Sequence, residues 1–164
     1  MSQRLVCIGR VAGVVALVVL AQLTLVSQLE VNGVSPDAAL LISVAAGVAN
    51  GPDRGARVGF ATGLLYDLFL STPFGFSALV YTLVAYGAGS VQLPLANHPR
   101  WWRAVSVAVA SAVGVLLWLG AQVMLDQDQL RGFSVPRIAI VVGLVNAVLA
   151  PPALRVGVWM FATM

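Results

Sequence analysis

Lysine is absent from this sequence; all nine basic residues are arginine. Charge of either sign is scarce: 9% of the 164 residues are charged, against about 25% in soluble globular domains. A soluble domain is thereby excluded, and the chain reads as a membrane protein of one domain. Cys7 is the single cysteine, which excludes an intrachain disulfide. His98 is the single histidine. A His/Cys metal centre is therefore excluded, because a structural zinc site needs about four ligands close together. No P-loop, Gly-rich nucleotide turn or basic amphipathic helix occurs. The net charge of +3 would point to nucleic acid in a soluble chain. Here the arginines lie between apolar runs, where they set orientation in a bilayer.

What is abundant is apolar chain, 60% of the residues. A bilayer core about 30 Å thick needs roughly 20 helical residues. Apolar runs occur at about 11–29, 37–50, 58–70, 74–93, 104–125 and 135–160, separated by turn-rich breaks such as "EVNGVSP" and "STPFG". The expected fold is an all-α integral membrane protein, a six-helix transmembrane bundle forming one polytopic domain over residues 1–164. Runs 37–50 and 58–70 reach only about 20 Å each. A re-entrant hairpin would bury Arg54 and Arg57 at its tip, at about 2.5–3.5 kcal/mol each. Two spans that extend into the flanking loop residues avoid that cost. Arg4 and Arg10 ahead of an apolar run resemble a signal peptide, but no small-x-small site follows, so an uncleaved first span is expected.

Six spans make the loops alternate. Arg4, Arg10, Arg54, Arg57, Arg100, Arg103 and Arg155 then fall on one side. Arg131 and Arg137 fall on the other, with Glu30, Asp37, Asp126 and Asp128. This asymmetry places both termini in the cytoplasm. Trp101 and Trp102 sit at the cytoplasmic interface.

The stretch "GARVGFATGLLYDLF" carries Gly55, Gly59 and Gly63 at four-residue spacing, and the next step is Asp67. Steps of four advance 40° past a full turn, so these residues form one slowly drifting stripe. Small residues at this spacing let helix backbones approach closely in lipid. Gly9/Gly13, Ala12/Ala16 and Ala85/Gly89 have the same spacing and are read as chance matches in a chain rich in Gly and Ala. Asp67 lies about 15 Å past Arg57 along the helix. An intramembrane acid faces the bundle interior and has a partner by default. Arg137, at the start of the last span, is the expected partner, with Tyr81, Gln122 and Asn146 as weaker candidates. A structural carboxylate that locks helices through hydrogen bonds is the favoured role; ion or substrate binding is the alternative.

Enzymatic readings find little support. "DRGARVGFATGLLYD" resembles the CDP-alcohol phosphotransferases, but Ser71 stands at the next metal position. One carboxylate cannot hold two hard cations that each want several oxygens. An aspartyl intramembrane protease needs two membrane aspartates, and only Asp67 lies within a span. His98, in a loop among prolines and tryptophans, is poorly placed for a Ser/His protease. The chain is expected not to be an enzyme and to carry no cofactor or metal.

Gly59-Phe60, Gly63-Leu64, Asp67, Gly75, Ala78-Leu79 and Ala85-Tyr86 resemble the core of the rod-shape-determining protein MreD family. Val145-Asn146-Ala147-Val148-Leu149-Ala150-Pro151 is similar to that family's last span. The resemblance implies a small membrane scaffold of the cell-elongation machinery that binds MreC. It also implies work alongside MreB, RodA and a penicillin-binding transpeptidase in lateral peptidoglycan synthesis. Gly55, Gly59, Gly63, Asp67, Gly75, Arg137 and Asn146 are the expected structural and partner-binding residues. The resemblance further implies a fold similar to the substrate-binding subunits of energy-coupling-factor transporters. That gives an alternative function, a small-molecule-binding transport subunit. Ala12/Ala16 matches the partner-docking pattern of those subunits, but the chain offers few polar groups for a vitamin pocket. An unrelated membrane protein with a coincidental glycine motif is the third reading.

Overall fold

A computed structural model of the protein describes residues 2–24, 37–70, 73–92, 100–124 and 135–162, without the side chains of residues 2, 4, 92, 100, 121–124 and 135–139. The described residues form six helices: α1 Ser2–Thr24, α2 Ala38–Asn50, α3 Pro52–Asp67, α4 Phe76–Gln92, α5 Arg100–Met124 and α6 Val135–Met160. The expected loop segments around Glu30 and Asp126, with Arg131 and His98, lie outside the described residues.

Helix boundaries depart from the apolar runs where polar residues are tolerated inside a helix. α1 begins at Ser2 rather than near residue 11. Arg10 does not interrupt it, because its guanidinium lies over the Trp159 ring, 4.8 Å from the centroid. "GPDRGAR" is a break of one residue, not seven. Gly51 turns the chain at φ +93, and Pro52 opens α3 at its first turn, where the missing N–H has no helical partner to lose. Arg54 and Arg57 are consequently helical. α6 runs unbroken through Pro151 and Pro152, which point away from the bundle.

α2 lies at the centre. Every residue from Ala39 to Val48 is buried, and the helix packs against each of the other five. Its neighbours meet it through small residues. Asn50 closes its last turn by donating to the Gly157 carbonyl of α6 at 2.8 Å. α3 and α4 pack along their whole length beside it, α5 pairs with α6, and α1 flanks α2 and α3.

The outside of the bundle is apolar. Leu5, Ile8 and Leu17 on α1, Val109 on α5, and Leu144 and Val148 on α6 are all exposed. Leu5–Thr24, Trp101–Gly120 and Ile140–Met160 are long and apolar enough to cross a membrane, and α2 and most of α4 are shorter apolar helices. A surface this apolar on every side suits lipid rather than water. The protein is a helical membrane protein.

Candidate functional site

Gly55, Gly59 and Gly63 lie on the face of α3 that meets α4. A methyl at Gly59 would stand 2.6 Å from the Tyr81 carbonyl oxygen. At Gly55 it would stand 2.5 Å from the Gly47 Cα and 2.9 Å from the Ala85 carbonyl oxygen. At Gly63 it would fall on Ala78 Cα and 2.5 Å from the Ala78 nitrogen. All three glycines bring backbone against backbone, the approach that small residues permit. The seam continues beyond α3. Gly47 of α2 faces the Ala85 carbonyl, and a methyl at Gly89 would stand 2.7 Å from the Pro52 Cα. Ala85 and Gly89, read from sequence as a chance match, therefore belong to the contact. Gly9 and Gly13, with the same spacing, have nothing within 4 Å of an added methyl. Spacing alone does not separate the two cases.

Asp67 closes the seam at its far end and is buried, 3% exposed. Its Oδ2 accepts from the Gly75 N–H at 2.9 Å and the Ala78 N–H at 3.3 Å; Oδ1 accepts from the Ser77 N–H at 3.2 Å. These donors are the unpaired amides at the start of α4. The carboxylate caps that helix from a neighbouring element and faces the positive end of its dipole. Gly75 makes the geometry possible. At φ +91 it holds a conformation that costs other residues strain, and so turns its N–H toward the carboxylate.

Of the expected side-chain partners of Asp67, the two with described side chains, Tyr81 and Asn146, do not bond it. Arg137 lies in the first turn of α6, and its side chain is outside the described set, as is that of Gln122. Tyr81 donates its hydroxyl to Asp37 at 2.7 Å. Asn146 is fully buried on α6, in line with Val142 and Ala150, and neither of its amide atoms has a hydrogen-bond partner. The structure thus brings together Gly55, Gly59, Gly63, Asp67 and Gly75, and it leaves Asn146 apart.

A second carboxylate works in the same way at the same end. Asp37 precedes α2; its Oδ1 accepts from the Leu40 N–H at 2.8 Å and its Oδ2 takes the Tyr81 hydroxyl. The Tyr81 ring stacks on Tyr66 with centroids 6.4 Å apart, and the Tyr66 hydroxyl bonds Gln22. Gln22 in turn accepts from the Ala38 N–H at 2.8 Å. Helices α1 to α4 are therefore tied together at one end by Asp37, Asp67, Gln22 and two tyrosines. The signal for Asp37 was an acid directly before an apolar run, the ordinary N-cap pattern. Gln22 carries no such signal.

Arginines gather at the opposite end. Arg10 stacks on Trp159, Arg54 lies 5.0 Å over the Phe161 ring, and Arg57 and Arg155 are exposed. Two grooves open on the lipid-facing surface. One, between α4 and α5, has a volume of about 450 Å³ and is lined by residues such as Leu83, Gly87, Val109 and Trp102. The other, between α1 and α3, measures about 620 Å³. Neither draws on Asp37, Asp67 or Asn146.

The family model of the rod shape-determining protein MreD matches residues 6–156. No curated protein and no solved structure matches the chain.

Proposed function

This chain belongs to the rod shape-determining protein MreD family, and on that footing we propose that it is a non-enzymatic scaffold of the cell-elongation machinery. It binds an MreC-like membrane protein and, with MreB, RodA and a penicillin-binding transpeptidase, supports lateral peptidoglycan synthesis. The observation that carries this reading is the state of two carboxylates, Asp67 buried and Asp37 half-buried. Asp37 and Asp67 each accept hydrogen bonds from a helix N-terminus, so neither stands free in a cleft as an acid, a base or a ligand. What remains to recognise a partner is the outer surface of the helices and the loops.

The alternative is a transport subunit with the fold of the energy-coupling-factor substrate-binding proteins. A vitamin site wants convergent donors and acceptors, and both grooves are lined almost wholly by apolar side chains. The deciding test is co-expression with the cognate MreC-like protein and pull-down through a tag on this chain. Co-purification in mild detergent is expected. Its failure in several detergents, together with tight binding of a vitamin-sized ligand, would establish the transport reading instead.

The proposed orientation has six spans, with both termini in the cytoplasm of a bacterial inner membrane. It rests on the distribution of arginine, whose described side chains on α1, α3 and α6 gather at the end away from Asp67. A phosphatase fused after residue 164 should be inactive, and one fused after Asp128 active. An active C-terminal fusion would reverse the orientation.

A further inference from the structure

The groove between α1 and α3 is apolar along its length and basic at one end. Val11 and Val15 of α1 and Ala61, Leu65 and Leu68 of α3 form its walls. Along α3 it runs from Arg57 to Leu68, eleven steps of the helix or about 16 Å. That length matches the reach of one acyl chain, about 15 Å, half the thickness of a bilayer core. Arg57 lines the groove at its basic end and is exposed there. Its Nε donates to the Asp53 carbonyl one turn back at 3.1 Å, which fixes the guanidinium beside its own helix. Arg54 adds a second cation: its guanidinium lies 5.0 Å over the ring of Phe161, itself part of the groove wall.

We propose that this groove binds an anionic phospholipid, with its phosphate at Arg57 and Arg54 and one acyl chain along Ala61, Leu65 and Leu68. Guanidinium groups pair with phosphate oxygens through two parallel hydrogen bonds, and basic pockets between membrane helices select acidic headgroups. Charge favours an anionic lipid over an apolar partner helix, because the one charged residue among those lining the slot is a cation, at its end. The α4–α5 groove supplies a contrast within the same molecule. It is as apolar, but Trp102 rather than an arginine is among the residues that line its end. The inference requires only that a bilayer surrounds the bundle, and it holds whether or not the chain binds MreC.

The test uses the full chain in a mild non-ionic detergent, titrated with phosphatidylglycerol or phosphatidylcholine of identical acyl chains and read by native mass spectrometry. One phosphatidylglycerol should be retained at about a tenfold lower concentration than phosphatidylcholine. Arg57→Gln should remove most of that preference, and Arg54→Gln part of it. Ala61→Trp, which fills the slot, should weaken retention of both lipids. Arg155→Gln, on α6 outside the groove, should leave the preference intact. Circular dichroism on each variant identifies any that has failed to fold. Arg57 is exposed, so the result for Arg57→Gln decides if Ala61→Trp is lost. Equal retention of the two lipids by the unaltered chain would overturn the proposal. So would an unchanged preference in Arg57→Gln, or an equal loss in Arg155→Gln, which would mark a general surface-charge effect. Displacement of the lipid by a co-expressed single-span partner, with Ala61→Trp abolishing that partner's co-purification, would make the groove a helix-docking site and overturn it too.

Discussion

Asp67→Leu should abolish the detergent-stable fold, while Asp67→Asn leaves a weakened but folded protein. The carboxylate satisfies the amides of Gly75, Ser77 and Ala78, and the site is buried. Leucine provides no acceptor, and each buried donor left unpaired costs about 1–3 kcal/mol. Asparagine keeps one acceptor oxygen and sets an NH₂ group among N–H donors, so it restores part of the cap. Thermal unfolding followed by circular dichroism should rank the unaltered chain first, Asn second and Leu last. Equal failure of Asn and Leu, in folding and in complementation, would show that the negative charge itself is required.

Gly63 should be as intolerant as Asp67, and for a connected reason. A methyl there falls on Ala78 Cα and stands 2.6 Å from the Ser77 carbonyl carbon, within the same first turn of α4 that Asp67 caps. Even Gly63→Ala must push that turn away from the carboxylate. Overpacking of this kind costs about 1–3 kcal/mol, occasionally more, and Gly63→Leu should leave no folded protein. Because both residues act on one turn, Gly63→Ala combined with Asp67→Asn should cost less than the sum of the two, by about 0.5–3 kcal/mol. Gly9→Ala and Gly13→Ala meet open space and should stay within about 0.5 kcal/mol of the unaltered chain. Following detergent-stable folding separately from co-purification tells a packing defect from a lost partner. A stable, fully active Gly63→Leu would refute the packing role.

The helical class, the stripe at Gly55, Gly59 and Gly63 and the burial of Asp67 were legible because each leaves a mark on spacing or polarity. What the stripe packs against was not. Gly47, Ala85 and Gly89 look no different in sequence from Gly13 or Ala16, and only the course of α2 and α4 past α3 makes them contacts. The partner of Asp67 was sought among side chains, and Arg137 was the natural choice. The partners seen among the described residues are backbone amides, which every residue but proline possesses, so residue identity could not reveal them. Gly75 was legible as part of a motif. Its reason, a left-handed turn that aims an N–H at Asp67, required the structure. In sequence the charges of Arg54 and Arg57 read as a break between apolar runs, whereas Pro52 starts the helix ahead of them.

The cap on α4 also bears on how the chain enters the membrane. During synthesis α3 emerges first, carrying Asp67 without the N–H donors that bond it in the folded protein. A lone aspartate is costly to insert, about 2.5–3.5 kcal/mol at the centre of a helix and less toward an end, where Asp67 stands. The donors that relieve it belong to residues 75, 77 and 78, eight to eleven positions later. α3 is thus a poor passenger until the next few residues have left the ribosome, and a good one as soon as they have. With so short a connection, the two helices are expected to enter lipid together as a hairpin, with the carboxylate already bonded.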